Sequence, residues 1–237
     1  MDTLRKKIIF ELERHGIEFI RFVDISGLSP RQNRGYAAVV LFGVKCSPEY
    51  LQRVSENPNY VPEMVERSYF DDDEHYRHEM EMYRISDVLS EFIEKEGYSA
   101  YSLSDSNQIA TDNFDGMFGK TRLPLKTPAV YAGLGWIGKN NLLVNKEYGS
   151  CQTWGGVLTD APVEAISVQP VAVQCGNCRV CMDFCQPNAL RGTVWKPGTV
   201  REEMIDVDKC TTCLKCMVHC PWTQAYMKRK FQALKAG

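Results

Sequence analysis

Eight of the ten cysteines fall into two groups that share one spacing. Each group reads C-x2-C-x2-C-x3-C, a run that is typical of thiolate ligands to 4Fe–4S clusters. Thiolates also bind zinc, but structural zinc sites use four ligands, commonly two C-x2-C pairs. The triplet followed by a fourth cysteine therefore favours two iron–sulfur clusters. The predicted metal ligands are Cys175, Cys178, Cys181 and Cys185 in the first group and Cys210, Cys213, Cys216 and Cys220 in the second.

The same spacing predicts which cysteines share a cluster. Three cysteines at positions i, i+3 and i+6 can surround one cluster, whereas the fourth begins the next element and points to the other cluster, as it does in bacterial ferredoxins. Neighbouring clusters of this kind pass single electrons, so we expect electron transfer. Cluster A would take Cys175, Cys178, Cys181 and Cys220, and cluster B would take Cys210, Cys213, Cys216 and Cys185.

Two further cysteines stand apart from these groups. Cys46 follows an apolar run, and Cys151 precedes another. Free cysteine behaves as a small apolar residue when it is buried. We therefore predict that both are packing residues.

A glycine-rich segment precedes the cysteine groups. Gly133–Gly138 matches G-x-G-x-x-G, the pattern of dinucleotide-binding loops. Such a loop opens a long helix, whereas the residues that follow here, 139–144, read as a short strand. We therefore expect either tight turns that let the backbone pack closely or an approach of this backbone to another cofactor. In the second case Lys139 would meet an anionic group of that cofactor.

The elements that must position these residues follow an α+β pattern. Helical periods predict helices over 2–15 and 71–96. We expect strands at 17–25, 37–44, 98–103, 141–144 and 154–158, a short helix or turn at 128–132, irregular chain with helical turns at 47–69 and a polar loop at 104–120. The predicted fold is an N-terminal mixed sheet with flanking helices over 1–165, which would hold a cofactor or substrate, and a C-terminal double 4Fe–4S module like that of bacterial ferredoxins over 166–237.

The composition excludes several classes of protein. The 237 residues are 44% hydrophobic and 24% charged, and the net charge is −2. This charge gives no basic surface for nucleic acid across the chain. No segment approaches the roughly 20 apolar residues that cross a bilayer, and the amphipathic N-terminus differs from a signal peptide. We therefore expect a cytoplasmic protein that does not associate with a membrane.

The glycine and cysteine segments together resemble a known family. Ala132 to Asn140 (AGLGWIGKN), Leu158 to Asp160 (LTD) and Cys175 to Cys178 (CGNC) are similar to epoxyqueuosine reductases and to their shorter relatives that bind two 4Fe–4S clusters. The resemblance implies an iron–sulfur oxidoreductase related to cobalamin-dependent reductases, whose clusters reduce a cobalamin in the N-terminal domain. It implies cofactor-binding residues at Gly133, Gly135, Trp136, Gly138, Lys139 and Asn140.

The chain also differs from the family pattern. Epoxyqueuosine reductases carry a catalytic acid in an Asp-Ser-Ala-Pro stretch, where this chain reads Gly-Lys-Thr-Arg-Leu-Pro at 119–124. Those enzymes also continue into a helical repeat that helps to hold tRNA. We therefore leave the catalytic residue unassigned and do not expect tRNA as the substrate. The expected partners are an electron donor protein or reductant and a small-molecule substrate. The alternative is an electron-transfer protein or reductive activator that docks on a partner protein.

Overall fold

The computed structural model describes residues 3–57, 59–68, 70–115 and 120–236. Its helices are α1 (Thr3–Arg14), α2 (Pro30–Asn33), α3 (Pro48–Glu56), α4 (Tyr60–Arg67), α5 (Glu74–Lys95), α6 (Asp105–Ala110), α7 (Lys126–Tyr131), α8 (Val180–Asp183), α9 (Arg201–Met204), α10 (Lys215–Val218) and α11 (Pro221–Ala236). Its strands are β1 (Phe19–Asp24), β2 (Ala38–Lys45), β3 (Ala100–Ser102), β4 (Phe114–Asp115), β5 (Lys120–Thr121), β6 (Trp136–Ile137), β7 (Leu143–Val144) and β8 (Gln152–Thr159). None of the described helices combines the length and the apolar character that a membrane crossing requires.

The chain forms two compact units, and each unit draws on three segments. Unit 1 contains Met1–Val44, Arg77–Gly133 and Thr153–Gln169, and unit 2 contains Lys45–Tyr76, Leu134–Gln152 and Pro170–Gly237. Both cysteine groups lie in unit 2. Residues 45–76 and 134–152 belong to the same unit, which a single boundary at residue 165 does not anticipate. The functions assigned to the two predicted domains stay predictions.

Unit 1 contains a four-stranded sheet with the order β1-β2-β8-β3. The pairs β1–β2 and β3–β8 are antiparallel. Strand β2 is buried from Ala38 to Gly43, because a central strand that is covered on both faces needs a continuous apolar run. Helices α1 and α5 contribute their apolar stripes to the same core, so the predicted combination of helices and a sheet is confirmed, whereas the described strand pairs are antiparallel and do not show the predicted mixed sheet. The stripes consist of Leu4, Ile8 and Leu12 in α1 and Met82, Ile85, Leu89 and Ile93 in α5.

The segment 47–69, predicted as irregular chain with helical turns, contains two regular helices, which corrects the irregular part of that prediction. The hydroxyl of Ser47 caps α3 by accepting the N–H of Tyr50 at 3.1 Å. Pro48 occupies the first helical position, where an N–H donor would have no partner inside the helix. Pro62 likewise lies in the first turn of α4. The prolines therefore begin helices here, while Pro58 and Tyr69 lie outside the described residues.

The loop predicted over 104–120 contains helix α6, which is a second correction. The hydroxyl of Ser104 accepts the N–H of Asn107 at 3.2 Å and so caps the helix. The side chain of Gln108 is buried and donates to the carbonyl of Leu103 at 2.8 Å. A cap and a satisfied buried amide thus stabilise a helix in a segment that has few apolar residues. Residues 116–119 lie outside the described residues.

Unit 2 packs α3 against α10 and α11. The two isolated cysteines belong to the core that these helices share: Cys46 is 0% exposed and Cys151 is 1% exposed. The N–H of Cys46 donates to the carbonyl of Cys151 at 2.9 Å. Burial is the largest of the causes that raise the pKa of Cys151 to about 12, so this thiol is neutral at physiological pH. Both cysteines are packing residues, as predicted.

Candidate metal centre

The two cysteine groups have the same local structure. Their third cysteines, Cys181 and Cys216, lie in α8 and α10, which span four residues each and pack against each other. Phe184 and His219, the residues just before the fourth cysteines, stack with ring centroids 3.7 Å apart and an angle of 15° between their planes. The repeat in the sequence is therefore also a repeat in the structure.

A cavity of about 250 Å³ joins the first cysteine group to the second. Three cysteines of the first group and Cys220 of the second lie in its wall, and these are the four side chains predicted for cluster A. Both Cys181 and Cys220 are buried. Burial raises the pKa of Cys181 to about 11, and the neighbouring thiols of Cys175, Cys220 and Cys178 add to the shift. Four sulfur atoms around one cavity form a donor set that suits a 4Fe–4S cluster. We call these four residues the inner set.

The remaining four cysteines form a more exposed group. We call Cys185, Cys210, Cys213 and Cys216 the outer set: Cys210 is exposed, and the other three are half-buried. Burial raises the pKa of Cys216 to about 12, and the thiols of Cys213, Cys181, Cys210 and Cys185 add to this rise. The sulfur of Cys185 accepts the N–H of Ala189 at 3.3 Å. Because the thiol of Cys185 contributes to the raised pKa of Cys216, it lies near the second group, and its role as a ligand there stays a prediction.

The glycine segment forms a β-hairpin beside the inner set. Strand β6 pairs antiparallel with β7, with Trp136 opposite Val144. A Cβ atom at Gly135 would overlap the carbonyl of Val144, and a Cβ atom at Gly138 would crowd the side chains of Val144 and Asn140. These two glycines allow close packing, which is one of the two predicted roles. A strand follows the motif where a dinucleotide loop would open a helix, which argues against a dinucleotide site.

Two polar side chains at the tip of this hairpin bind the cysteine loops. Lys139 is 9% exposed, and its ammonium group donates to the carbonyls of Gly176 at 2.7 Å and Cys178 at 3.2 Å. The amide nitrogen of Asn140 donates to the carbonyl of Cys216 at 3.3 Å. Lys139 therefore contacts the first cysteine loop and Asn140 contacts the second.

The other predicted cofactor residues occupy different places. Gly133 belongs to unit 1 and has a φ of 71°, so its lack of a side chain serves a turn. Trp136 is buried and packs edge-on against Trp222, with ring centroids 5.5 Å apart. Its indole N–H is buried and has no acceptor among the described residues. Of the six predicted residues, Lys139 and Asn140 line the cavity of the inner set.

Two residues of this region were not singled out from the sequence. Trp222 lines the cavity next to Cys220. Lys215 is 8% exposed and donates to the side-chain oxygen of Gln186 at 3.0 Å. The only sequence signal for this contact was Gln186 itself, which follows Cys185 at the position that Pro221 takes after Cys220.

Comparison with known proteins places the chain near one group of enzymes. No family model matches the chain. The epoxyqueuosine reductase of Lactococcus garvieae is 44% identical over 86 residues, which cover 36% of this chain and 24% of that protein. The crystal structure of a selenomethionine-labelled epoxyqueuosine reductase has a TM-score of 0.52 at 15% identity and matches 94% of this chain and 66% of that chain. The chain is similar to epoxyqueuosine reductases.

The resemblance that the glycine and cysteine segments predicted is thereby confirmed. A reductive dehalogenase that performs B12-dependent dehalogenation has the same fold, with a TM-score of 0.59 at 18% identity over 91% of this chain and 31% of that chain. At these identities the structural matches show the fold alone. The sequence match spans about a quarter of the reductase from Lactococcus garvieae (24%).

Proposed function

We propose that this protein is an iron–sulfur oxidoreductase that transfers single electrons through two 4Fe–4S clusters. The observation that supports this most is the cavity of about 250 Å³ whose wall combines Cys175, Cys178 and Cys181 with Cys220. A zinc site made of one C-x2-C pair from each group would take two ligands from each group. Here three cysteines of the first group and one of the second share the cavity. The outer set combines three cysteines of the second group with one cysteine of the first. Each half thus supplies three ligands to one cluster and one ligand to the other.

The surroundings of the inner set also suit a cluster. A 4Fe–4S cluster cycles between two states that differ by one electron, and hydrogen bonds and solvent around its sulfur atoms tune the potential. Trp222 lines the cavity and Trp136 packs edge-on against Trp222, and the indole N–H of Trp136 has no acceptor among the described residues. A buried donor without a partner, in the core cluster that contains Cys220, fits the presence of an additional acceptor. Lys139 and Asn140 hold the two cysteine loops in place.

The acceptor of the electrons is a small organic substrate or a corrinoid-type cofactor. A second cavity of about 250 Å³ lies in unit 1 and is lined by Asp24, Ile25, Ser26, Gly27, Leu28, Tyr131 and Ser167. Its size is just below the roughly 300–1,000 Å³ of pockets for drug-sized ligands, so it suits a small molecule and does not fit a whole corrinoid. The corrinoid is supported by the fold shared with a B12-dependent dehalogenase.

The substrate itself is not assigned. The relatives with matching sequence are named for epoxyqueuosine, and the match covers 24% of the reductase from Lactococcus garvieae. The net charge of −2 supports the expectation that tRNA is not the substrate, and this expectation stays a prediction.

Anaerobic reconstitution tests the proposal. The protein should bind about eight iron atoms and eight sulfides per chain and show two reversible one-electron reductions by electron paramagnetic resonance (EPR). Binding of zinc alone, or of far less iron, would contradict it. Visible spectra recorded with added cobalamin, together with cobalt analysis, then separate a corrinoid acceptor from a small organic one.

The alternative function is electron transfer to a partner protein. It is favoured by the exposure of Cys210, because an outer cluster at the surface is within reach of another protein. In that case the reduced protein should be reoxidised by a partner protein and by neither cobalamin nor small organic acceptors.

A further inference from the structure

A single lysine lies in the wall of the cavity that the inner set surrounds. The described side chains of this wall comprise the four cysteines, Lys139, Asn140, Val144, Gln174, Pro221 and Trp222. Lys139 is the only cation among them, and the four cysteines of the same wall become anionic thiolates when they bind a metal. At 9% exposure its ammonium group is largely removed from water.

The lysine is held in place by the loop that carries the ligands. Its ammonium group has three N–H donors. Two of them bind the carbonyls of Gly176 and Cys178, at 2.7 and 3.2 Å. Gly176 lies between Cys175 and Cys178 and has a φ of 48°, a left-handed conformation that turns the loop tightly. The position of the charge is therefore fixed relative to the ligand loop by two backbone contacts and not by a flexible ion pair.

We propose that Lys139 sets the reduction potential of cluster A, by placing one fixed positive charge beside it, and positions the loop from Cys175 to Cys178. This inference rests on the proposed function, since it requires a cluster at the inner set. A positive charge stabilises the reduced state of a cluster, which carries one more electron, and the interaction is strong because the site is shielded from water. Cluster A is thereby easier to reduce than it would be without the lysine.

A second buried lysine, Lys215, lies near the outer set. Lys215 is also buried, but its ammonium group donates to the side chain of Gln186 at 3.0 Å and it does not line the cavity of the inner set. Its backbone lies next to Cys216, a member of the outer set. Replacement of Lys139 should therefore change the potential of one cluster, while the other cluster keeps its own nearby lysine.

Redox titration followed by EPR tests the inference on reconstituted full-length protein. The variants are Lys139→Met, which removes the charge at similar length, and Lys139→Arg, which keeps it. The control is Lys228→Met, because Lys228 is exposed on α11 of the same unit. Iron content is measured for each variant. Cys178→Ser identifies the EPR signal of cluster A, since this substitution removes a ligand of the inner set.

In Lys139→Met we expect the ratio of reduced to oxidised cluster A at a fixed potential to fall about tenfold, which corresponds to about 59 mV for a one-electron couple. Cluster B should titrate as in the wild type. Lys139→Arg should recover most of the shift, and Lys228→Met should show none.

Three outcomes would overturn the inference. In the first, Lys139→Met binds the full amount of iron and both of its clusters have the same reduction potentials as in the Lys228→Met control. In the second, Lys139→Met changes the reduction potential of cluster B alone. The third is loss of cluster A in both Lys139→Met and Lys139→Arg, which would show that a positive charge at this position is not sufficient to maintain the cluster. Loss of cluster A in Lys139→Met alone would support the inference. A wild-type protein that binds no iron would instead refute the proposed function.

Discussion

The inner and outer cysteine sets have the same sequence spacing but different surroundings. Cys181 and Cys220 of the inner set are buried behind the hairpin β6–β7 and Trp222, whereas Cys210 of the outer set is exposed. The ligand pattern is repeated, but the elements that pack against it are not. The spacing therefore determines what the two sites can bind, while the packing around each site determines how water and charge act on it.

The largest effect is expected from Gly135→Ala, which removes the cover of the inner set. The added methyl group would overlap the carbonyl of Val144 on the paired strand. Backbone overlap of this kind cannot be relieved by a side-chain rotation, so we expect a loss of about 3 kcal/mol in the free energy of unfolding. Urea denaturation measures this loss.

The matched control is Gly27→Ala, because the space around a Cβ atom at Gly27 is open. If the hairpin protects the inner set, Gly135→Ala also exposes Cys181 to alkylation while the reactivity of Cys210 stays unchanged. Equal changes at both cysteines would break the distinction between the two sets.

The second prediction uses the pH dependence of thiol reactivity in metal-free protein. The pKa of Cys181 is raised to about 11, chiefly by burial, so this thiol stays protonated at neutral pH and becomes a thiolate only as the pH rises. Since the thiolate is the nucleophile, alkylation of Cys181 should accelerate about 100-fold between pH 8 and pH 10. Mass spectrometry after iodoacetamide treatment measures the rate at each cysteine.

Cys210 provides the internal reference, because its exposure lets the reagent reach it at the lower pH. Fast alkylation of Cys181 at pH 8, at a rate comparable to that of Cys210, would mean that the inner set is not shielded.

The smallest effect is expected at the contact between the two repeats. Phe184 is 42% exposed and stacks on His219. Phe184→Ala should lower the free energy of unfolding by about 1 kcal/mol, which is typical of the loss of one aromatic pair. Because the two residues occupy equivalent positions before the fourth cysteines, both clusters should be affected alike.

Val194→Ala is the control for this substitution, since Val194 is exposed and equally apolar. An effect of Phe184→Ala on one cluster alone would show that the stack belongs to one half rather than to both.

The sequence predicts the local features of this molecule better than its long-range contacts. The cysteine spacing acts over a few residues, and the helical stripes of α1 and α5 are periodic, so both could be recognised directly. Lys139 could not be placed in the same way. It binds the carbonyl of Gly176, a contact that spans 37 residues of sequence and uses a backbone atom present in every residue.

Helices α3, α4 and α6 share a physical feature that the composition of their segments does not reveal. In α3 and α4 the prolines sit in the first turn, and in α6 a serine cap stabilises a polar segment. Composition alone predicts irregular chain in the segments 47–69 and 104–120, because the stabilising feature is the position of one residue at the helix start. The discontinuous units could not be predicted from local sequence either, because segment 134–152 joins the cysteine groups through packing.

The exchange of ligands between the two repeats is tested most directly by single cysteine substitutions. Four variants are reconstituted anaerobically and their EPR signals compared: Cys178→Ser, Cys220→Ser, Cys213→Ser and Cys185→Ser. We expect Cys178→Ser and Cys220→Ser to alter or abolish the same signal, although these cysteines belong to different sequence groups, and Cys213→Ser and Cys185→Ser to affect the other signal. Pairing of Cys178 with Cys185, and of Cys213 with Cys220, would show that each group binds its own cluster and would contradict the account.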